Sequence, residues 1–325
     1  MSKTSIPIVK WTGGKRKLLP ILNMSFNEAT KNIGSKNISY YEPFFGGGAL
    51  FFALSSQGKI KKAYINDAIP HLVSFYETIK EEKNIDTIIK NLLSMEKEFN
   101  LQKNKTEREN IYNGWKKEFN FLWVEKNKIN KSEKIKSASL FLALNKAGFN
   151  GMFRLNNKGE FNIPIGDKTQ LNITNKESLE RTSKALKNVE INCGSYEEIL
   201  PPNKKIDPKT SFIYLDPPYI PNSKTASFTD YSKEGFKEED HIKLAEVFQE
   251  LVNGGYKVVL SNNNNPEAVE KYVKGTKKTF AYEVMVSRQI ASTVTDKKGV
   301  STRPKVSELL VSSFSLDDLG LKKIN

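Results

Sequence analysis

Short apolar runs of strand length recur near both ends of this chain with helix-length segments between them, and no other feature limits its fold so strongly. Candidate strands are Tyr40 to Phe45, Lys62 to Asn66, Val189 to Cys193, Ser211 to Leu215, Tyr256 to Ser261, Phe280 to Val286 and Val306 to Val311. Helical patterns, such as Ala68 to Lys80 and Glu239 to Leu251, lie beside them. Strands separated by helices imply an α/β protein with a doubly wound, mostly parallel sheet. The last two strands flank the polar stretch "SRQIASTVTDKKGVSTRPK". A hairpin there puts an antiparallel strand at one side of the sheet.

Residues 77–184 break this rhythm. They are rich in Lys and Asn, carry helical patterns such as "KIKSASLFLALNKAGF", and then give way to "NGMFRLNNKGEFNIPIG". We read them as an inserted, mainly helical second domain tipped by an irregular loop or small hairpin. Residues 1–76 and 185–325 then form the other domain. The Lys/Asn runs near 103–106 and 126–134 read as exposed loops or helix faces.

Composition narrows the partners. Lys and Arg number 51 against 37 acidic residues, an excess of +14 on 325 residues. Such a surplus favours a polyanionic partner, because each neutralised phosphate releases condensed counterions. A solvated Lys-rich surface is the plain alternative. No apolar stretch reaches the roughly 18 residues of a membrane span, and the N-terminus lacks the apolar segment of a secretory signal. A single cysteine, Cys193, leaves no intramolecular disulfide and suits a reducing cytoplasm. With only His71 and His241 beside it, an N/S-ligated zinc site is not expected.

Three motifs carry chemistry. In "YYEPFFGGGALFFAL", residues 40–54, an apolar strand runs into three glycines and then into a helical pattern. Glycines at such a turn let a ligand approach the backbone at the carboxyl end of the strand, although a purely structural turn reads the same way. Asp67 ends the next strand about 20 residues on, where an acid can bind a ribose diol or cap a helix. In "KWTGGKRKLLP", residues 10–20, Trp11 and Lys15 can set an aromatic plate and a cation beside a ligand, or merely precede a helix.

The third motif is Asp216-Pro217-Pro218-Tyr219, at the end of the run Ser211 to Leu215. The prolines fix backbone dihedrals and remove two N–H donors. The Pro217 carbonyl can then stand beside the carboxylate as a second fixed acceptor. Two acceptors suit an NH₂ group, and Tyr219 can stack on the ring that bears it. An exocyclic amine is a poor nucleophile, and acceptors that draw its hydrogens out of plane restore its lone pair and stabilise positive charge on nitrogen. The corner suits amine methylation without a covalent enzyme intermediate.

In combination, Trp11-Thr12-Gly13-Gly14-Lys15, Glu42-Pro43-Phe44-Phe45-Gly46-Gly47-Gly48 and Asp216-Pro217-Pro218-Tyr219 resemble the Dam-type (alpha group) adenine-N6 DNA methyltransferases. "NKAGFNGMFRLNNKGEFNIPIG", residues 145–166, is similar to that family's target-recognition hairpin. "SKTASFTDYS", residues 223–232, resembles its loop after the catalytic motif, and "VSRQIASTVTDKKGVSTRPKVSELLV" its C-terminal strand pair. The resemblance covers nearly the whole chain.

It implies a Rossmann-like sheet that binds S-adenosylmethionine through Trp11, Lys15, the turn Phe45, Gly46 and Gly48, and Asp67 on the ribose. Ser195 and Tyr196 match a position near the cofactor, where an ordinary strand-end turn is the alternative. Asp216 would serve both the methionine amino group and the target amine, with Pro217, Pro218 and Tyr219 completing the catalytic corner. On duplex DNA, Arg154 matches a guanine-reading arginine, which suits the O6/N7 pair. Phe149 and Asn150 match residues wedged beside the extruded base. Lys10 matches a lysine near the first guanine, and Pro164 sits in the matching apolar turn. Met152 stands where the GATC-specific branch commonly has leucine, which loosens the inference about sequence, and GATC is the lead target. No metal is expected; the resemblance points to a cognate restriction endonuclease as partner and to monomeric action. RNA, N4-cytosine or protein-glutamine methylation, a DNA-binding regulator without turnover, and a nicotinamide dehydrogenase are the rival readings.

Overall fold

The computed structural model describes residues 7–33, 37–125, 129–201, 203–221, 236–287, 294–295, 301–302 and 305–324. Ten strands appear among them: β1 (Ser39–Glu42), β2 (Lys62–Asp67), β3 (Val189–Cys193), β4 (Ser211–Leu215), β5 (Lys257–Asn263), β6 (Phe280–Ser287), β7 (Val294–Thr295), β8 (Ser301–Thr302), β9 (Lys305–Ser312) and β10 (Lys322–Lys323). Eight form one sheet in the order β10-β6-β9-β5-β4-β1-β2-β3, while β7 and β8 pair separately. From β3 to β5 all neighbours are parallel. β9 runs antiparallel to both β5 and β6. The expected hairpin pair therefore forms, but its antiparallel member is threaded inside the sheet between two strands of the other sense.

Parallel strands covered on both faces read as continuous apolar runs, and all five residues of β4 are buried. Side chains alternate between faces. Tyr40, Phe212, Tyr214, Val259 and Leu310 join one apolar cluster, whereas Tyr41, Ile213, Leu215, Leu260 and Leu309 join another. The first face is covered by α1 (Leu19–Thr30), α2 (Ala49–Ser56) and α3 (Pro70–Lys80), the second chiefly by α8 (Glu238–Asn253).

Strand limits differ from the sequence reading at one informative point. β1 stops at Glu42, because Pro43 has no N–H to offer and Phe45 N already donates across to Asn66 O at 2.9 Å. Similarly, α3 starts at Pro70, where a missing N–H costs nothing, rather than at Ala68.

Between α3 and β3 the chain forms α4 (Ile85–Asn100), α5 (Lys105–Asn120), α6 (Lys131–Ala147) and α7 (Lys176–Leu186). The run near 103–106 supplies Asn104, whose side chain accepts from Glu107 N and starts α5. Asn130 and Glu133 form a capping box at the head of α6. α6 is surrounded by neighbours, so Ser137 through Asn145 are all buried. Its apolar residues continue without a break into the cluster under α3. Gly148 and Leu155 make single antiparallel bridges to Ile165 and Phe161, so residues 148–165 form an irregular hairpin. Among the described residues no helix is long and apolar enough to cross a membrane.

Candidate active site

The strand order reverses between β1 and β4, which lie side by side while their onward connections diverge. Ligands of α/β sheets bind at the carboxyl ends flanking such a point. Counting alternate residues outward from the buried Tyr40, Tyr214, Val259 and Leu310 brings Glu42, Asp216, Ser261 and Glu308 to that edge on one face. Three acids thus gather there, with one cation among them.

That cation is Lys15. Its Nζ lies 2.9 Å from Asp216 Oδ1 and 4.3 Å from the centroid of the Tyr219 ring, and it donates to Gly13 O at 2.6 Å. Ser261 Oγ donates to the same Asp216 oxygen at 2.8 Å and is itself 2.9 Å from the Tyr214 hydroxyl. Burial raises the Asp216 carboxyl above the usual carboxylate range, with Lys15 and Ser261 pulling it back. Glu42 is pushed well above that range, chiefly by burial; Tyr40 opposes the shift by donating to it at 2.9 Å.

The corner itself is clamped. Pro217 is buried, and Pro218 and Tyr219 are half-buried, so the phenol ring is not sealed in the core. One residue on, Ile220 N donates to Asn262 Oδ1 at 3.0 Å, while Ile220 O accepts from Asn263 Nδ2 at 2.6 Å and from Asn265 Nδ2 at 3.1 Å. The Tyr219 hydroxyl donates to Glu308 Oε2 at 3.0 Å. Sequence reasoning passed over Ser261, Asn262, Asn263, Asn265 and Glu308. The signal was present in "SNNNN", since asparagine is depleted in strands and a run of it at a strand end asks for partners.

The glycine turn lies one strand away. Gly46 and Gly48 have φ of +48° and +64°. A Cβ on Gly46 would sit 2.7 Å from the Trp11 ring, and one on Gly48 would strike the Phe45 ring. Trp11 therefore packs directly on the turn, and its ring also stacks on Phe153. Asp67 Oδ2 accepts from Gly46 N at 2.8 Å and Oδ1 from Ile69 N at 3.0 Å. Asp67 thus pins the turn and the approach to α3 at once, and burial lifts its carboxyl to about 6. Gly194 N bonds to Asp67 O, placing the next two residues nearby. Ser195 accepts from Glu197 N and starts a short helical turn, whereas Tyr196 stacks on Phe44 with its hydroxyl buried and, among the described residues, without a hydrogen-bond partner.

The hairpin residues form a second group. Asn145 binds Lys10 through both backbone groups at 2.8 Å and also holds Gly151 O at 3.0 Å. This clasp sets Lys10 against the hairpin. Phe149 is 45% exposed, and Asn150 beside it adopts a left-handed φ of +54°. Arg154 and Pro164 are exposed, with Arg154 Nε donating to Asn162 Oδ1. Met152 is half-buried and packs against the core. Lys146 sits at the base, where burial and then the charges of Lys10, Arg16 and Lys168 lower it to about 8. Among the described residues none of these four cations has a carboxylate in ion-pair range. The loop 223–232 lies outside the described residues. Both histidines are core residues: His71 packs on Trp123, and His241 Nδ1 lies 2.7 Å from the Tyr272 hydroxyl.

The chain is similar to known proteins over most of its length. The family of D12 class N6 adenine-specific DNA methyltransferases matches over residues 11–290. The type II methyltransferase M.MjaIII of Methanocaldococcus jannaschii is 34% identical over 95% of this chain and 99% of its own length. M1.LlaDCHI of Lactococcus lactis subsp. cremoris is 33% identical over 95% of both chains. The DNA adenine methylase of Escherichia coli K12 is 30% identical, again over 95% of both. The carboxylate corner, the glycine turn and the hairpin all fall within the matched span, and the chain belongs to the D12 class of N6 adenine-specific DNA methyltransferases.

Proposed function

We propose that this enzyme moves a methyl group from S-adenosylmethionine to N6 of an adenine flipped out of duplex DNA, at GATC or a related short site. The observation that carries the reading is the seat between Asp216 and Tyr219. A cationic nitrogen, that of Lys15, already rests there, within hydrogen-bond range of the carboxylate and over the ring. An adenine amine on that ring meets the same two partners.

The residues around the glycine turn fit the methyl donor. Gly46 and Gly48, at positive φ, let the turn pack tightly on Trp11 and Phe45 with no side chain of its own at those positions, and Asp67 and Asp216 offer carboxylates to a ribose diol and an ammonium group. Phe45 shapes the turn from beneath, and Ser195 and Tyr196 border it beyond Asp67. The bound donor supplies an activated methyl group. The protein's part is to place N6 and to hold its developing charge: Asp216 and the Pro217 carbonyl accept the two amine hydrogens, Pro218 stiffens the corner, and Tyr219 stacks under the base.

Residues 77–184 act as the target-recognition domain, with 1–76 and 185–325 as the catalytic one. Arg154, Lys10, Met152 and Pro164 read the site, while Phe149 and Asn150 fill the space left by the flipped base. The cations Lys10, Arg16, Lys146 and Lys168 seat the backbone. Since two relatives are named type II methyltransferases, a cognate endonuclease sharing the site fits, with the methyltransferase acting as a monomer. The test is single-molecule sequencing of unmodified duplex DNA after incubation with purified protein and S-adenosylmethionine. N6-methyladenine in one short motif is expected. Methylcytosine, methylated RNA or unmodified DNA would overturn the reading.

A further inference from the structure

We propose that Glu308 is a positioning residue for methyl transfer, holding the Tyr219 ring in register and enriching its face so that the ring stabilises positive charge on the stacked base. The inference rests on the functional reading above, in which adenine lies on Tyr219.

The geometry begins with the phenol. Its O–H donates to Glu308 Oε2 at 3.0 Å, and Glu308 stands on β9 opposite Asn263 of β5 and Val284 of β6. A residue on a strand paired along both sides cannot drift. The other end of the tyrosine is equally fixed, because Ile220 is bonded to Asn262 and Asn263. The ring is thus anchored at its backbone by β5 and at its hydroxyl by β9, leaving a face toward Lys15.

That face already carries a cation. Lys15 Nζ lies 4.3 Å from the ring centroid. Attraction between a cation and an aromatic face grows with electron density in the ring. A phenol donating to a carboxylate has its O–H bond polarised and its ring made richer, more so than one donating to water or a neutral acceptor. During transfer the N6 lone pair forms the new bond to the methyl carbon, and the departing bond's electrons stay on sulfur. The aminopurine carries the positive charge until N6 releases a proton to solvent water. An electron-rich ring beneath it favours that state over the neutral base, so Glu308 acts on the chemical step more than on DNA binding. Burial, the main influence on Glu308, raises its carboxyl, while Lys15 and the Tyr219 hydroxyl draw it down.

Glu308→Gln keeps the shape and one acceptor but removes the charge. We expect its single-turnover methylation rate to drop roughly tenfold, as weakening a charge-assisted hydrogen bond would produce. Affinities for duplex DNA and for S-adenosylmethionine, and the melting temperature, should stay near those of the parent. Tyr219→Phe, which leaves β9 untouched, should lose a similar factor, and adding Glu308→Gln to it should change nothing further. A parent-like rate for Glu308→Gln, or losses that multiply in the double variant, would overturn the inference. Failure of the unmutated enzyme to methylate adenine would instead remove the functional reading beneath it.

Discussion

Lys15 Nζ stands 2.9 Å from Asp216 Oδ1, pairing a cation of the N-terminal motif with the acid of the proline corner across some 200 residues of sequence. The pair is largely buried, with the two side chains 9% and 18% exposed. Removing one partner of such a pair leaves the other charge uncompensated.

Asp216→Ala should therefore do two separable things. It should lower single-turnover methyl transfer by at least about a thousandfold, because the amine loses its charged acceptor. Duplex affinity, which the proposed function assigns to the hairpin and its cations, should change little by fluorescence anisotropy. Parent-like turnover would show that another group holds the amine.

Gly46→Ala tests the glycine turn. The backbone there has φ of +48° and the new methyl would meet the Trp11 ring at 2.7 Å. Strain of this kind costs about 1–3 kcal/mol, and urea unfolding should show it. Adding Trp11→Ala should recover only the steric part of that loss.

Asp67 gives a pH signature with opposite signs in two measurements. Its folded carboxyl stands at about 6, above the usual value of 3.8. The native state then binds more protons than the unfolded chain across that window, so this group's contribution to stability rises as pH falls through it. Ribose binding needs the charged acceptor and should weaken as pH falls below about 6. Calorimetric titration with S-adenosylmethionine from about pH 8 to pH 5 should show the weakening, and Asp67→Asn should flatten it.

Lys146 predicts proton uptake on DNA binding. In the free protein it is lowered to about 8 from 10.5. A phosphate beside it would restore its proton, so duplex affinity should fall as pH rises from about 7 to about 9. Lys146→Gln should bind more weakly at pH 7 and lose most of that dependence.

Much of the site was visible in the sequence because its parts are local. The proline corner announces itself within four residues, and the glycine turn sits between a strand and a helix that periodicity alone reveals. The partnership of Lys15 with Asp216 has no local mark, because Lys15 lies in the segment before α1 and meets the end of β4 only once the chain is folded. Glu308 was invisible for a stronger reason. Its role depends on β9 entering between β5 and β6, a pairing that no spacing encodes, whereas the sequence placed the antiparallel strand at one side of the sheet. The end of β1 was misjudged because Phe44 and Phe45 prolong the apolar run past Pro43, where the ladder has already turned away.

The threading of β9 sets an order of events in synthesis. Residues 305–312 emerge after every other residue assigned to the reaction, yet they fill a slot in the middle of the sheet and bring the acid that grips the tyrosine. A nascent chain halted near residue 300 would expose two unsatisfied strand edges, β5 and β6, facing an empty groove. Chains stalled at that point should lack methyl-transfer activity and be prone to aggregate until the final strand is supplied.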